Sequence, residues 1–544
     1  MTCLMMNYPL LISSIIRHAD TNHGDTAIVS YASDGTRHEY TYADAHRRSR
    51  MLANALTAQG CKTGDRIGTL AWNGYRHLEL YYAISGSGAV CHTINPRLFL
   101  SQIAYIINHA DDQLIFFDTS FLKLVEDLIP LCQGVKEWIV LSDTLPEATP
   151  AASASGVSYL NYEQLIESQS DQYDWPALDE NTASGLCYTS GTTGNPKGVL
   201  YSHRSSVLHA ITAALPDAFN ISARDTVMPV SPMFHVMAWG MPYCAPAMGA
   251  KLVLPGSNLD GASLHRVCEA EQVTISAGVP TIWFGLIAHL QNNNVRLSSL
   301  QRVVIGGAAC PPSLIQTMQA LGVEPIHAWG MTETSPLSTV SKLKSKHGSL
   351  PVAASNALLA KQGRPLFGVE LKIVDENHVP LPKNGVAFGE LMIRGAWIAG
   401  GYFGAENRDA LRDGWFPTGD VATLDADGFM HITDRSKDVI KSGGEWISSI
   451  ELENVAVAHP AISEAAAVGI YHEKWGERPL LVAVRKAGME VERRELLSYF
   501  EGKVAKWSIP DDVVFVDQLP HTATGKLLKT ALRADFREHL WPKV

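Results

Sequence analysis

The segment YTSGTTGNPKG, residues 188–198, concentrates hydroxyl side chains, glycines and one lysine in a short stretch. Glycines allow successive backbone N–H groups to turn inward and form an anion-binding nest, and hydroxyls add donors without adding charge. Lys197 lies between Pro196 and Gly198, so the segment lacks the glycine–lysine–serine/threonine order of the common nucleotide-binding loop. The segment predicts a phosphate-binding loop, although runs of Ser, Thr and Gly are by themselves often surface turns.

The segment HAWGMTETSP, residues 327–336, follows a strand-like run and presents an indole, a hydroxyl and a carboxylate, those of Trp329, Thr332 and Glu333. An indole offers a large flat face for stacking, and a carboxylate can bind a hard cation. Packing in the core is the alternative role of Trp329, and capping of a turn is that of Glu333. Taken with the glycine-rich loop, the segment favours a nucleotide site.

The C-terminal part of the chain carries further charged candidates. The segment of residues 414–448 carries Asp420, Arg435 and Lys441 around tight turns. The segment LPHTATGKLLK, residues 519–529, places Lys526 after a glycine at the start of the last predicted helix. Turn capping is the alternative role of Asp420. A cation is disfavoured at a helix N-terminus, so a structural role explains Lys526 poorly.

Short apolar runs alternate with helix-like patterns through about the first 340 residues, and this alternation predicts parallel sheets covered by helices. Strands are predicted at residues 66–72, 113–118, 137–142, 250–255, 273–280 and 301–307. The run from Thr226 to Ala250 has no charged residue but contains four prolines. It therefore predicts a buried, kinked segment beside a pocket, and we expect no transmembrane segment.

The pattern changes near residue 365. Residues 368–395 alternate with period two and contain glycine and proline turns, which indicates an antiparallel β-meander. Helix and strand patterns after Arg435 predict a compact α/β unit. We therefore predict an α/β protein with an N-terminal domain, residues 1–435, of helix-covered sheets plus the meander, and a small mobile C-terminal α/β domain, residues 436–544.

Composition excludes several classes of protein. A net charge of −11 argues against a nucleic-acid partner, because phosphate-tracking proteins need a basic face. The eight cysteines form no C-x-x-C pair, so a zinc site and a dense disulfide framework are not expected. The chain is therefore predicted to be cytoplasmic, and we expect it to form a homodimer.

The four segments, in this order, resemble the signature motifs of the adenylate-forming superfamily, which includes acyl-CoA synthetases, luciferases and the adenylation modules of peptide synthetases. The resemblance covers nearly the whole chain. It implies an ATP-dependent, AMP-forming acyl-CoA ligase, in which a carboxylate attacks the α-phosphate of ATP, pyrophosphate leaves, and the thiol of CoA then displaces AMP. Preorganised cations and N–H donors should stabilise the charge that builds on the phosphates.

The resemblance implies that the glycine-rich loop binds the β- and γ-phosphates, that Trp329 stacks on adenine, and that Asp420 and Arg435 bind the ribose. It also implies Mg²⁺ as cofactor, with Thr189 and Glu333 around the ion. The nucleotide-binding residues so implied are Thr189, Ser190, Gly191, Thr192, Thr193, Gly194, Lys197, Gly307, Ala308, His327, Ala328, Trp329, Gly330, Met331, Thr332, Asp420 and Arg435.

The same resemblance assigns catalytic roles to Lys526 in adenylation, to Lys441 in thioester formation and to Glu333. Relatives rotate their C-terminal domain about a hinge that corresponds to Lys437. This rotation would replace the Lys526 segment at the site with the segment KSGGEW, residues 441–446. The CoA-binding residues implied are Gly443, Gly444, Glu445 and Trp446.

The acyl group is expected near PMFHVMAWG, residues 232–240, with Gly306 and Pro336. His235 and Trp239 are the side chains that would contact it, although an aromatic residue beside prolines often only packs. A tryptophan in the pocket wall would shorten the pocket and favour a short or medium-chain acid. The chain most resembles medium-chain acyl-CoA ligases and, within them, ligases of methylmercaptopropionate.

The sequence is also compatible with other functions. An adenylating ligase with a carrier protein as acceptor, or a luciferase-type oxygenase, would use the same first half-reaction. A non-catalytic binding scaffold would show no pyrophosphate exchange that depends on the acid. A phosphoryl-transferring ATPase would release ADP instead of AMP.

Replacing Lys526 should separate the two half-reactions. We expect Lys526→Ala to suppress formation of the acyl-adenylate, because its ammonium group would no longer face the α-phosphate, while conversion of supplied acyl-adenylate to the thioester is largely retained. Pyrophosphate exchange and thioester formation measure the two steps. Equal loss of both steps would contradict the moving-domain scheme.

Overall fold

The structure is a computed structural model that describes residues 4–144, 159–189, 195–404, 410–443, 445–521 and 527–542. Contacts along the chain divide it into two compact units, of which the first is Met1–Glu370 with Arg394–Phe416 and the second is Leu371–Ile393 with Pro417–Val544. Each unit combines sheets with helices, so the predicted α/β class is confirmed. The predicted domain boundary after residue 435 stays a prediction.

A nine-stranded sheet forms one part of the first unit. Its strands, in spatial order, are Arg364–Pro365, Leu337–Val340, Glu324–Gly330, Arg302–Ile305, Ile275–Gly278, Thr226–Pro229, Lys251–Leu254, Ala27–Tyr31 and Arg37–Thr41. The central strands are parallel, as the alternation of apolar runs and helices predicts. One of the hydrophobic clusters against it is built around Trp283, Val303 and Ile305.

A seven-stranded sheet forms the other part of the first unit. Its strands, in spatial order, are Tyr159–Asn161, Glu137–Val140, Asp112–Phe117, Arg66–Leu70, Val90–Thr93, Ala183–Tyr188 and Gly198–Ser202. The strands are parallel except for the last, which turns back antiparallel to Ala183–Tyr188. The glycine-rich segment lies between these last two strands in the sequence.

Helices cover the two sheets of the first unit. Those described are Ile12–His23, Tyr42–Ala58, Tyr75–Gly86, Leu100–Ala110, Leu122–Leu128, Tyr162–Glu167, His203–Ala214, Met241–Met248, Gly261–Glu271, Pro280–Asn293, Pro312–Ala320 and Val352–Leu359. Local signals set their starts: Thr41 and Asp44 form a reciprocal capping box. Prolines occupy the first turn of other helices, where no intrahelical N–H is needed.

The second unit contains a four-stranded and a five-stranded sheet. The first consists of Val369–Val374, Phe388–Gly395, Phe416–Leu424 and Met430–Arg435; the second consists of Glu445–Ile447, Ile440–Ser442, Gly476–Arg485 and Ile462–His472, with Asp512–Phe515 paired to Gly476–Arg485. Its helices are Ser449–Val457, Arg493–Ser498 and Lys529–Asp535. Leu480 and Leu481 point to different hydrophobic clusters, so both faces of the second sheet are covered.

The uncharged run from Thr226 to Ala250 folds as a strand, a turn and the short helix Met241–Met248, which contains Pro246. Most of its side chains are buried in the first unit, as predicted. Among the described residues, no helix is both long and apolar enough to cross a membrane.

Candidate active site

Parallel strands of the nine-stranded sheet bring their carboxyl ends to one edge. Thr226–Pro229, Ile275–Gly278, Arg302–Ile305 and Glu324–Gly330 run parallel and in register. Three segments with predicted functions lie at or just beyond the ends of these strands: residues 232–240, Gly306 and residues 327–336. Ligands of parallel α/β sheets commonly bind at this edge.

The base of the glycine-rich loop is closed by hydrogen bonds between its two ends. The Thr189 N–H donates to the Lys197 carbonyl at 2.9 Å, and the Lys197 N–H donates to the Thr189 hydroxyl at 3.2 Å. The flanking strands pair as far as Tyr188 and Gly198. The predicted phosphate-binding residues Ser190, Gly191, Thr192, Thr193 and Gly194 lie outside the described residues.

Lys197 and Glu333 contact the same tyrosine. The Lys197 ammonium lies 4.8 Å from the centroid of the Tyr402 ring, and the Tyr402 hydroxyl donates to Glu333 Oε1 at 2.7 Å. Glu333 is 6% exposed, so its carboxylate is buried beside these partners. Burial, followed by the charge of Glu333, raises the pKa of Tyr402 and keeps its hydroxyl a donor at neutral pH.

The predicted adenine segment is a strand followed by a tight turn. Trp329 is half-buried and pairs across the sheet with Thr339, so one part of the indole remains accessible. A side chain on Gly330 would lie 1.7 Å from the Pro336 carbonyl, which explains the glycine. Thr332 is buried, and its carbonyl accepts a hydrogen bond from the Tyr201 hydroxyl at 2.7 Å. The turn is thereby fixed to the strand Gly198–Ser202, which follows the glycine-rich segment.

The remaining predicted residues of this segment divide into structural and accessible positions. His327 is buried, with its Nδ1 3.0 Å from the Ala360 carbonyl, and the neighbouring Ala328 is buried as well. The Met331 N–H donates to the Thr334 hydroxyl at 2.9 Å. Pro336 is buried beyond the turn. A nucleotide could contact the backbone of these residues, whereas the His327 side chain points to another part of the fold.

Trp239 packs on the glycine turn that follows strand Arg302–Ile305. A side chain added to Gly306 would lie 3.3 Å from the Trp239 ring and 3.1 Å from the Ala328 carbonyl, and one on Gly307 would lie 3.7 Å from the same ring. Gly307 and the adjacent Ala308 are exposed. The structure therefore brings together the predicted acyl-contacting indole and the predicted nucleotide turn.

The turn that carries Trp239 has a strained backbone. Val236, Met237, Ala238 and Trp239 have φ values of 47°, 52°, 48° and 58°. Each such residue costs about 1–2 kcal/mol relative to a right-handed conformation, and for a β-branched residue like Val236 the conformation is an outlier. Such conformations persist where surrounding contacts impose them and cluster at ligand sites. His235, which precedes this left-handed turn, is half-buried.

Asn73 fixes the backbone of residues 229–233, which lead into the left-handed turn. Its side-chain amide donates to the carbonyls of Pro229 at 2.8 Å and Ser231 at 3.0 Å, and its carbonyl accepts the Met233 N–H at 2.7 Å. Asn73 is 3% exposed, so these bonds replace water for three backbone groups. The Tyr81 hydroxyl adds a hydrogen bond to the Met233 carbonyl.

The second unit contains the predicted ribose residues, which are partners across one strand pair. Arg435 Nε lies 2.7 Å from Asp420 Oδ1, and Asp420 is 2% exposed. The carboxylate of neighbouring Asp434 accepts the Ser449 N–H, and burial raises the pKa of Asp434. Burial lowers the pKa of the predicted hinge residue, Lys437.

The predicted CoA segment forms a hairpin of the second unit. The exposed Lys441 lies in the first strand, where its N–H donates to Glu477 at 3.0 Å. Gly443 has a φ of +60°, and its N–H donates to the Trp475 carbonyl at 2.8 Å; a side chain there would lie 2.8 Å from the Trp475 ring. Glu445 and Trp446 belong to the second strand. Gly444 and Lys526 lie outside the described residues.

Comparison with known proteins assigns the chain to a family. The sequence matches the AMP-binding enzyme family over residues 15–403 and the AMP-binding enzyme C-terminal domain over residues 451–526. The chain belongs to the AMP-binding enzyme family. The first match alone covers more than half of its length.

The similarity to individual family members extends over whole chains. The chain is 54% identical over 537 residues to the 3-methylmercaptopropionyl-CoA ligase of Ruegeria lacuscaerulensis, covering 98% of this chain and 99% of the relative. It is 50% identical over 537 residues to the medium-chain-fatty-acid–CoA ligase of Ectopseudomonas oleovorans, covering 98% of both. Its fold matches that of an anthranilate CoA ligase crystallised with anthranoyl-AMP, with a TM-score of 0.84 at 24% identity over 97% of this chain and 98% of the other.

The family match and the relatives confirm the predicted adenylate-forming family and an AMP-forming acyl-CoA ligase activity. The structural match confirms the fold. The roles of individual residues in this AMP-binding enzyme stay predictions. Three residues with clear positions at the predicted segments were missed by sequence reasoning: Asn73, Tyr402 and Trp475. None lies in a motif of its own, although Tyr402 follows two glycines in the short segment AGGYFG.

Removing the Asn73 side chain should release the left-handed turn. We expect Asn73→Ala to lower the free energy of unfolding by about 3 kcal/mol, because buried backbone groups lose their partners, and to raise KM for the acid several-fold by displacing Trp239. Chemical denaturation and initial rates measure the two effects.

Asn161→Ala is the matched control. Asn161 is also buried, and it bonds to the Ser142 carbonyl at 2.9 Å and to the Gln164 N–H at 3.1 Å, at the edge of the seven-stranded sheet. It should lose similar stability with an unchanged KM for the acid. The same KM change in both variants would show that Asn73 acts only through global stability.

Proposed function

We propose that this AMP-binding enzyme is a Mg²⁺-dependent ligase that converts a short or medium-chain acid to its CoA thioester, with methylmercaptopropionate as the favoured substrate. The observation that carries the proposal is the contact of the Trp239 indole with the Gly306–Gly307 turn, beside the strand that bears Trp329. A bulky ring at this position limits the length of an acyl chain. The similarity to a 3-methylmercaptopropionyl-CoA ligase supports the thioether acid.

The residues present fit a magnesium ion bound together with nucleotide phosphates. The Thr189 hydroxyl and the buried Glu333 carboxylate are hard oxygen donors of the kind Mg²⁺ prefers. No cluster of three His, Cys, Asp or Glu side chains suited to a metal occurs in the described part of the chain, which favours an ion that takes its other ligands from ATP and water. When bound, Mg²⁺ would offset charge on the phosphates.

The residues of the chain then provide the remaining functions. The acid carboxylate attacks the α-phosphorus, the bond to pyrophosphate breaks, and the acyl-adenylate stays bound. The CoA thiol next attacks the acyl carbon, AMP leaves, and the thiol proton passes to solvent. Lys197 and Lys526 would supply positive charge in the first step, and Lys441 in the second.

We infer that rotation about Lys437 exchanges the two arrangements of the C-terminal domain. In the predicted CoA hairpin, Gly443 has a φ of +60° and a side chain there would lie 2.8 Å from the Trp475 ring, so this turn requires glycine. Asp420 and Arg435 would bind the ribose of ATP. We also propose a cytoplasmic homodimer; the seven described cysteines are all unpaired, which agrees with a reducing compartment.

A panel of acids tests the proposed substrate. With ATP, Mg²⁺ and CoA, we expect kcat/KM to be highest for methylmercaptopropionate and for straight-chain acids of similar length, and AMP to be the nucleotide product. Chromatography of nucleotides and acyl-CoA products measures both. A preference for long-chain acids would contradict the proposed pocket, and release of ADP would contradict the mechanism.

Replacing Trp239 with a smaller residue should lengthen the acyl pocket. We expect Trp239→Gly to shift the chain-length preference by several carbons toward longer acids, because the ring no longer fills the space over Gly306. Competition between acids of different length measures the shift. The matched control is Trp507→Gly, which changes an exposed tryptophan of the second unit and should leave the chain-length preference unchanged. An unchanged preference would remove Trp239 from the pocket wall.

A further inference from the structure

The Tyr402 side chain contacts two charged residues of the first unit, Lys197 and Glu333. Its ring faces the Lys197 ammonium at 4.8 Å from the centroid, within the range of a cation–π interaction. Its hydroxyl donates to Glu333 Oε1 at 2.7 Å, the distance of a charge-assisted hydrogen bond. The two contacts use different parts of one rigid side chain.

The backbone around Tyr402 is fixed to the same two segments. The Ala399 N–H donates to the Glu333 carbonyl at 2.8 Å, and the Phe403 N–H donates to the Gly198 carbonyl at 2.8 Å, one residue after Lys197. The segment from Ala399 to Phe403 therefore spans from the Glu333 turn to the strand that leaves the phosphate loop. Little backbone movement is available to change the position of Tyr402 between its partners.

A carboxylate on a mobile side chain would lose rotamer entropy on binding a cation. A carboxylate already oriented by a buried hydrogen bond loses less, so the bound geometry is preorganised. The same argument applies to a lysine whose ammonium lies on an aromatic face, because its long side chain has otherwise many conformations. The tyrosine thus acts on both groups at once.

We propose that Tyr402 is a positioning residue that orients the Glu333 carboxylate and the Lys197 ammonium for binding of the metal–nucleotide complex. The inference rests on the proposed roles of Glu333 and Lys197. Its hydroxyl serves the metal and its ring serves the phosphates, so the two contributions are separable by substitution.

Two variants separate these contributions. Tyr402→Phe removes the hydroxyl and keeps the ring, whereas Tyr402→Leu removes both. The probes are Mn²⁺ and α,β-methylene-ATP, which cannot be cleaved at the bond that breaks in adenylation. The electron paramagnetic resonance signal of free Mn²⁺ reports metal affinity on the nucleotide complex, and calorimetry without metal reports nucleotide affinity.

We expect Tyr402→Phe to weaken Mn²⁺ binding about tenfold, the effect of losing one hydrogen bond to a charged group, with metal-free nucleotide affinity unchanged. Tyr402→Leu should also weaken metal-free nucleotide binding, by about threefold, because the ring no longer holds Lys197. In a Glu333→Gln background, Tyr402→Phe should have no further effect on Mn²⁺ affinity. Additive effects of Tyr402→Phe and Glu333→Gln on Mn²⁺ affinity would overturn the proposed action through Glu333.

Tyr42→Phe is the matched control, because the Tyr42 hydroxyl is buried and donates to the Ala250 carbonyl at 2.6 Å away from these segments. It should leave both affinities unchanged. If the unaltered protein forms AMP and acyl-CoA but Tyr402→Phe binds Mn²⁺ normally, the inference on Tyr402 is wrong and the proposed function stands. If the unaltered protein forms no AMP with any acid, the proposed function itself fails.

Discussion

Repulsion between two anions is the constraint around which the candidate site is built. A carboxylate and ATP must come into contact, and in water their charges are solvated separately. A protein can replace that solvation only with groups whose positions are fixed before the reactants arrive. The Lys197 ammonium, placed by the hydrogen bonds that close the glycine-rich loop and by the Tyr402 ring, is a fixed group of this kind. Glu333, held by Tyr402, is itself an anion and would contribute only by holding a Mg²⁺ ion.

The strained turn at Val236–Trp239 is also fixed in advance, at the predicted acyl site. Its positive φ values cost free energy, and the hydrogen bonds of Asn73 offset part of this cost. Gly240 continues the left-handed backbone with a φ of 75°, and a side chain there would lie 2.6 Å from His209. Burial lowers the pKa of His209 to about 3, so the neutral ring can accept the Leu337 N–H at 3.1 Å. Packing and hydrogen bonds together keep Trp239 over the glycine turn.

Sequence periodicity predicted the strands and helices well because apolar runs alternate clearly with amphipathic ones; the run predicted at 113–118 is the strand Asp112–Phe117. The motif resemblance located the candidate residues, of which Trp239 and Gly306 are in contact. The left-handed turn was not predictable, since Val, Met, Ala and Trp carry no signal for positive φ. The contact of Tyr402 with Glu333 was equally hidden, because 69 residues separate them along the chain.

Ion pairs of the second unit bear on how its parts could move. Lys529 lies in the first turn of the last helix, and its ammonium is 2.6 Å from Glu453. Arg533 of the same helix lies 2.8 Å from Asp438, the residue after the proposed hinge. Breaking a buried pair by separating its partners leaves an uncompensated charge and costs several kcal/mol. The last helix should therefore move together with the sheet that carries the predicted CoA hairpin. A rotation about Lys437 would then carry the last helix and the predicted CoA hairpin together as one body.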